Sequence, residues 1–233
     1  MKNETSNNLP DFINSIYEKG VLNIDSQQIK VKGFSNINNL ILLQKLILER
    51  NIKNTLEIGL AYGGSATLLL HTLKQKLIDN FSHTAIDPYQ SSWMKNYGVK
   101  HVDKLGFSNN FKFFENFSEL VLPELLSQNK KFDLIYIDGS HLFENVFIDA
   151  YYSFQLLNIN GILIFDDCAD KGVFKAITNF KRINSTSIKK VDIRKYVKYS
   201  RIKNLLYPMA SKLGKVQMQV FEKTNDDKKY WGK

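Results

Sequence analysis

The chain of 233 residues is poor in cysteine, with Cys168 alone. A lone thiol excludes an internal disulfide framework and a CxxC metal motif. A reducing, cytoplasmic setting is the expectation that follows. Long hydrophobic runs are missing as well. The oiliest stretch, Leu40 to Leu48, is broken by Gln44 and Lys45, which excludes a span of about 20 consecutive apolar residues. The start, Met1 to Pro10, is polar and lacks the apolar centre of a secretory signal. The formal net charge is +9 and the pI is near 9.4, yet no run of about five or six like charges marks a binding tail. Lysine pairs at 130–131, 189–190 and 228–229, and the Lys/Arg-dominated stretch 171–203, therefore read as solvated surface ahead of a nucleic-acid patch. Internal repeats and low-complexity linkers are absent too. The length fits one large α/β domain better than two small ones.

What is present is a globular composition, 43% hydrophobic and 12% aromatic, able to bury a core. Residues 1–35 are polar and mixed. They read as an N-terminal arm or lid with a short helix near 10–19, a segment that two copies of a homo-oligomer would be able to exchange. Residues 36–233 read as a single domain. Apolar residues at 37, 40, 41, 43, 46, 47 and 48 predict a core-facing helix over Asn36 to Glu49.

From residue 53 short apolar runs alternate with amphipathic ones. Strands are predicted at 54–58, 82–87, 111–115, 132–138, 160–166 and 215–222, and helices at 64–77, 95–105, 118–127, 142–157 and 171–181. Repeated strand–helix units imply a parallel sheet with right-handed crossovers, its helices on both faces. Strands buried on both faces read as continuous apolar runs, as Phe132 to Ile137 and Gly161 to Phe165 do. The last strand follows a long basic stretch and suits antiparallel pairing at the edge.

In such sheets ligands bind beyond the carboxyl ends of the strands. The residues closing the predicted strands are Glu57 and Gly59, Asp87, Glu115 or Asn116, Asp138, and Asp166 with Asp167. Acids recur at one end of the sheet, and this recurrence is the main sign of a site. The first loop, Glu57 to Ser65, has the spacing E-x-G-x-A-x-G and not the G-x-G-x-x-G of dinucleotide enzymes. By itself it also reads as a tight strand-to-helix turn. A carboxylate before the first glycine suits an ammonium group, such as the amino-acid end of S-adenosylmethionine carries, and sits poorly beside a pyrophosphate. Asp87 lies 28 residues after Gly59 and is placed to take both hydroxyls of a ribose; it also reads as a turn starter before Pro88.

These runs, LEIGLAYGGSA from Leu56, AIDPYQ from Ala85 and FDLIYIDGSHLFENVFIDAYYSFQLLNINGILIFDD from Phe132, resemble the class I S-adenosylmethionine-dependent methyltransferases. Within these they are similar to the small group of macrocin and mycinamicin sugar O-methyltransferases and cephalosporin hydroxylase-type proteins. The resemblance covers about residues 40–182. It implies a Rossmann-like α/β fold with a mostly parallel seven-stranded sheet and an antiparallel edge strand. It further implies that Glu57, Gly59, Ala61 and Ser65 line the methionine part of the cofactor, with Tyr62 and Gly63 in the same loop. Asp87 would hold the ribose, and Asn116, Phe117 and Ser118 would lie near the adenine. Asp138, Asp166 and Asp167 would bind a divalent metal, Mg²⁺ by its oxygen donors, with Asp138 also beside the cofactor. His141 would be the general base. Two departures are Ala61, where broader class I enzymes have glycine, and Asp166, where some relatives carry Glu.

The residues themselves leave more bland readings standing. Neighbouring parallel strands lie about 4.8 Å apart, so terminal carboxylates on two of them converge, and such charges need protons or a cation. Asp138, Asp166 or Asp167 would equally serve as helix caps. Adjacent acids on a strand face opposite ways, so Asp166 and Asp167 act together only if the strand has ended. Asp149 orients neighbours or faces solvent. Cys168 reads as a small core residue. Tyr62, Tyr89, Trp93 and Tyr97 stack on a ligand or simply pack. The function expected is metal-dependent O-methylation of a hydroxyl on a small molecule, a sugar or sugar-containing metabolite, acidic or nucleotide-linked given the basic surface. A nucleic-acid methyltransferase is the lesser alternative, because Asp138-Gly139-Ser140-His141 stands where amino-methylating enzymes place an Asn/Asp-Pro-Pro-aromatic tetrad. A non-catalytic binding module of the same fold is another.

Overall fold

The computed structural model describes residues 9–31, 35–77, 79–197 and 199–226. Most of the polar start and the Lys228–Lys229 pair lie outside the described residues. Before the domain come α1 (Asp11–Lys19), β1 (Val21–Ile24) and β2 (Gln27–Lys30), followed by α2 (Ile37–Glu49). The alternating part runs β3 (Asn54–Ile58), α3 (Gly64–Gln75), β4 (Ser82–Ile86), α4 (Tyr97–Lys104), β5 (Phe111–Phe114) and α5 (Ser118–Ser127). It continues through β6 (Phe132–Ile137), α6 (Phe143–Leu156), β7 (Leu157–Phe165) and α7 (Lys171–Ile183). The chain closes with β8 (Ile188–Lys190), α8 (Arg201–Lys212) and β9 (Gln219–Lys223).

Seven strands form one sheet in the order β5-β4-β3-β6-β7-β9-β8, and β1 and β2 form a separate antiparallel hairpin. The five strands from β5 to β7 are parallel. The reversal of strand order falls between β3 and β6, and a crevice opens at such a switch point. β9 is antiparallel to both β7 and β8. The reversed strand therefore lies toward one edge as expected, but the three-residue β8, which the sequence pattern did not predict, flanks it. Its start also falls at Gln219, later than the predicted 215, because the chain first makes α8 and a turn.

The core is built where the apolar runs predict it. Leu56, Leu134, Ile135, Ile162 and Ile164 are fully buried in the central strands. Leu40, Leu43, Leu46 and Ile47 of α2 cover one face, while Val173, Ala176, Ile177 and Phe180 of α7 pack on the same continuous cluster. The arm is more regular than its sequence suggested. Ile13 of α1 belongs to the main core. Ile16, Leu22 and Ile24 make a small cluster against Tyr62 and Tyr97, and Lys104 Nζ donates to the Asn23 carbonyl at 2.7 Å. The hairpin is thereby fastened over the first loop and α4.

Candidate active site

The first loop turns sharply because its backbone occupies the left-handed region at Gly59 (φ +94°), Ala61 (φ +45°) and Gly63 (φ +72°). A Cβ on Gly59 would lie 2.3 Å from the Asp138 carbonyl oxygen, so the β3 and β6 loops touch at the switch point. Only glycine permits both that φ and that approach. Ala61 occupies a conformation that costs an L-residue energy, which gives physical weight to its departure from glycine.

Glu57, one residue before the end of β3, is fully buried. Its two oxygens are engaged by the Ser65 hydroxyl and by His83 Nε2 at 3.1 Å. The other His83 nitrogen lies 2.8 Å from the Thr55 hydroxyl. Glu57 and Ser65, expected to meet a ligand, are thus turned to one another, and each Glu57 oxygen keeps a second acceptor site. His83 was missed by sequence reasoning. Its signal was a histidine in β4 whose register partner is Thr55, two residues before Glu57 on the neighbouring strand.

Asp87, nearly buried, accepts at Oδ2 from the amides of Leu60 and Ala61, both at 3.0 Å, and from Gln90 Nε2 at 3.2 Å. Its Oδ1 accepts from the Tyr89 amide at 2.8 Å. It ties the end of β4 to the first loop. Beside it Tyr89 and Trp93 stack with ring centroids 4.4 Å apart, and Phe117 meets Tyr89 edge-on at 6.1 Å. These three rings are exposed, and Phe117 precedes α5 together with Asn116. Tyr62 and Tyr97 instead pack under the hairpin, so the four aromatics left open by sequence fall into two groups.

On the other side of the switch point, Ile137 pairs with Phe165, which sets Asp138 and Asp166 side by side. The Tyr136 hydroxyl lies 3.0 Å from Asp138 Oδ2 and also hydrogen-bonds Asp166 Oδ2. Asp166 further accepts from Asn39 Nδ2 at 2.7 and 2.9 Å, from Gln217 Nε2 at 2.8 Å and from the Asp167 amide at 2.8 Å. Burial, then the charge of Asp166, pushes the Asp138 carboxyl well above its ordinary range. Burial raises Asp166 as well, opposed by its hydrogen bonds. Tyr136, Asn39 and Gln217 are site residues the sequence reading missed. Tyr136 was legible, since residues two apart on a strand share a face. Asn39 showed as a polar residue on the buried side of α2. Gln217 carried no local signal.

β7 has ended before Asp167, which sits at φ +47°. Asp167 turns to His141, with Nε2 to Oδ2 at 2.9 Å, and accepts from Gln217 Nε2 at 2.5 Å. The second ring nitrogen of His141 lies 3.9 Å from Asp170 Oδ2, and the ring is half-exposed. The capping alternatives do not hold. The N-cap of α6 is Leu142, which offers no side-chain cap, and α7 is capped by Asp170 through the Gly172 amide. Among the described residues, no three His, Cys, Asp or Glu side chains are arranged to hold an ion. Asp138, Asp166 and Asp167 converge, but Asp167 is directed at the histidine. Cys168 is fully buried in the core, as expected.

Residues 56–168 match the model of a family described as a methyltransferase domain. That match covers just under half of the chain. The chain has the fold of class I S-adenosylmethionine-dependent O-methyltransferases. The O-methyltransferase TomG of Streptomyces achromogenes, solved with the cofactor, superposes with a TM-score of 0.61 at 12% identity over 82% of each chain. A Bacillus cereus O-methyltransferase solved with S-adenosylhomocysteine gives 0.61 at 12% identity over 84% of each chain. A Podospora anserina methyltransferase gives 0.62 at 16% identity, over 93% of this chain and 89% of that one. An uncharacterised protein of Acanthamoeba polyphaga mimivirus is 25% identical over 124 residues. That match spans about half of each protein, 52% of this chain and 54% of the other. The residues matched by the family model include the first loop, Asp87, Asp138, His141 and the Asp166–Asp167 pair. Asn39 and Gln217 enter the site from outside them.

Proposed function

We propose that the protein transfers the methyl group of S-adenosylmethionine to a hydroxyl of a small molecule. The observation that carries this reading is the contact of the Gly59 loop with Asp138 at the switch point, flanked by Asp87 on one side and Asp166 on the other. The parts fit the cofactor. The glycine cradle has no room for a Cβ at Gly59, Asp87 just beyond β4 suits a ribose, and the exposed rings of Tyr89, Trp93 and Phe117 offer a stacking surface for adenine. Bound there, the cofactor supplies an electrophilic methyl group on a sulfonium.

His141 serves as the base. Asp167 accepts from Nε2–H and so leaves the Nδ1 lone pair free for the acceptor hydroxyl. Nδ1 is placed to take the proton that the acceptor hydroxyl gives up, while the cofactor would supply the methyl group and would leave as its neutral thioether. Orientation of the two reactants carries much of the rate.

For a divalent ion the donor chemistry fits, because adjacent buried carboxylates favour a hard cation. Asp138 and Asp166 would hold it, with Asp167 left on His141, and it would position the acceptor oxygen and ease loss of its proton. The acceptor class is a sugar or sugar-containing metabolite. It rests on the resemblance of the IDGSH and FDD runs to sugar O-methyltransferases, and the net charge favours an acidic or nucleotide-linked one.

Calorimetric titration with S-adenosylhomocysteine, with Mg²⁺ and again with chelator, tests this. Micromolar binding supports the cofactor assignment. Folded protein that binds in neither condition rejects the methyltransferase function. Turnover of an accepted sugar that is equal with and without chelator rejects the ion.

A further inference from the structure

Helix α8 presents an apolar stripe outward. Ile202, Leu205, Leu206, Met209 and Leu213 fall at spacings of 3, 4, 7 and 11 from the first, one face of a helix. Their exposures are 71%, 80%, 46%, 58% and 57%. The opposite face is the packed one, with Tyr207 and Ser211 buried, and Ser211 bonded to Lys190 Nζ. The stripe is therefore not core turned the wrong way; the helix has a separate inner face that holds it down.

Basic residues flank the stripe. At about 100° per residue, Arg201 and Lys212 lie on one side of it and Lys203 on the other; all three are exposed. Residues 189–215 hold nine Lys and Arg and one acid, Asp192, which Arg194 already engages at 2.6 Å. Twelve residues make a helix of about 18 Å, shorter than the roughly 30 Å hydrocarbon layer, and no described helix is long and apolar enough to cross a membrane.

We propose that α8 docks the protein on an anionic membrane surface, lying in the interface with Leu205 and Met209 in the acyl boundary and Arg201, Lys203 and Lys212 among acidic headgroups. Charge complementarity selects this occupant. A second copy would set the same basic flanks against their equivalents. Nucleic acid would leave five apolar side chains without a partner. The geometry also connects the surface to the site. Gln217, which contacts Asp166 and Asp167, follows Lys212 by five residues. The inference does not depend on the methyl-transfer reading.

The test is co-sedimentation of the full chain with vesicles of phosphatidylcholine alone or mixed in equal parts with phosphatidylserine. The wild type sediments with the mixed vesicles and stays in solution with the neutral ones. The double variant Leu205→Asp/Met209→Asp loses binding by about tenfold or more, and Lys203→Glu weakens it while high salt abolishes it. These positions are exposed, and an unchanged thermal transition shows that the fold is retained. Equal sedimentation with both vesicle types, or no loss in the double variant, overturns the proposal. So does a wild-type dimer by light scattering that the double variant turns into monomer, which would make this face an interface between copies.

Discussion

The single hydroxyl of Tyr136 lies between two carboxylates, 3.0 Å from Asp138 Oδ2 and in a hydrogen bond with Asp166. One phenol has one proton, so it donates to one acid only. Asp166 is held by donors from Asn39, Gln217 and the backbone. Asp138 is driven well above its ordinary range by burial and by Asp166. Asp138 and Asp166 compete for that one proton. Tyr136→Phe removes it and leaves a buried carboxyl short of a donor, at a cost of about 1–3 kcal/mol. Urea unfolding should show a lower midpoint with an unchanged slope. An unaltered midpoint would mean that the hydroxyl holds neither acid.

Asp149 of α6 is buried, and burial pushes its carboxyl up to about 7, the Ser118 hydroxyl opposing and the Glu119 charge adding. In the unfolded chain the same group ionises near 4. Between these values the unfolded state has lost a proton that the folded state keeps, so stability falls as pH rises from about 4 to 7, then levels off. Asp149→Asn should remove that decline and melt higher than wild type at pH 8, with a smaller difference at pH 5. Parallel melting curves for the two proteins across this range would refute the assignment.

Gly59→Ala is expected to be severe. Its φ is +94° and the new Cβ would stand 2.3 Å from the Asp138 carbonyl oxygen, so backbone must move at the point where two loops meet. A loss of more than about 2 kcal/mol is expected, together with weakened S-adenosylhomocysteine binding. Ala61→Gly is the contrasting case. Its positive φ favours glycine, and the melting temperature should hold or rise.

His141→Ala should leave S-adenosylhomocysteine affinity nearly unchanged and cut kcat by about 10²–10⁴. Asp167→Asn should cut kcat less, since an amide still meets the ring but no longer stabilises its protonated form. Isothermal titration and initial rates separate the two quantities. Equal kcat in wild type and His141→Ala would remove the histidine from proton transfer.

Much of the fold was legible because burial leaves periodic traces. Phe132 to Ile137 and Gly161 to Phe165 are strands buried on both sides, and the acids and glycines after them mark the carboxyl ends of the sheet. The hairpin of β1 and β2 escaped notice because its four-residue strands are short and half polar, with only Leu22 and Ile24 buried. α8 escaped notice because its apolar residues face outward and Pro208 interrupts it; the Asn204 carbonyl, four residues before that proline, receives Arg194 Nη1 at 3.3 Å.

The order of residues along the chain was enough to place Gly59, Asp87, Asp138, His141 and the Asp166–Asp167 pair at one end of a parallel sheet. Each lies just beyond a strand, and strand ends are local features of hydrophobic patterning. Which of them touch was decided only by tertiary structure. Glu57 is held by Ser65 and His83, Asp166 is held by Asn39 from 127 positions away, and Asp167 serves His141 while Asp138 shares Tyr136. These partners come from separate elements, and side-chain direction across packed elements leaves no period in a sequence.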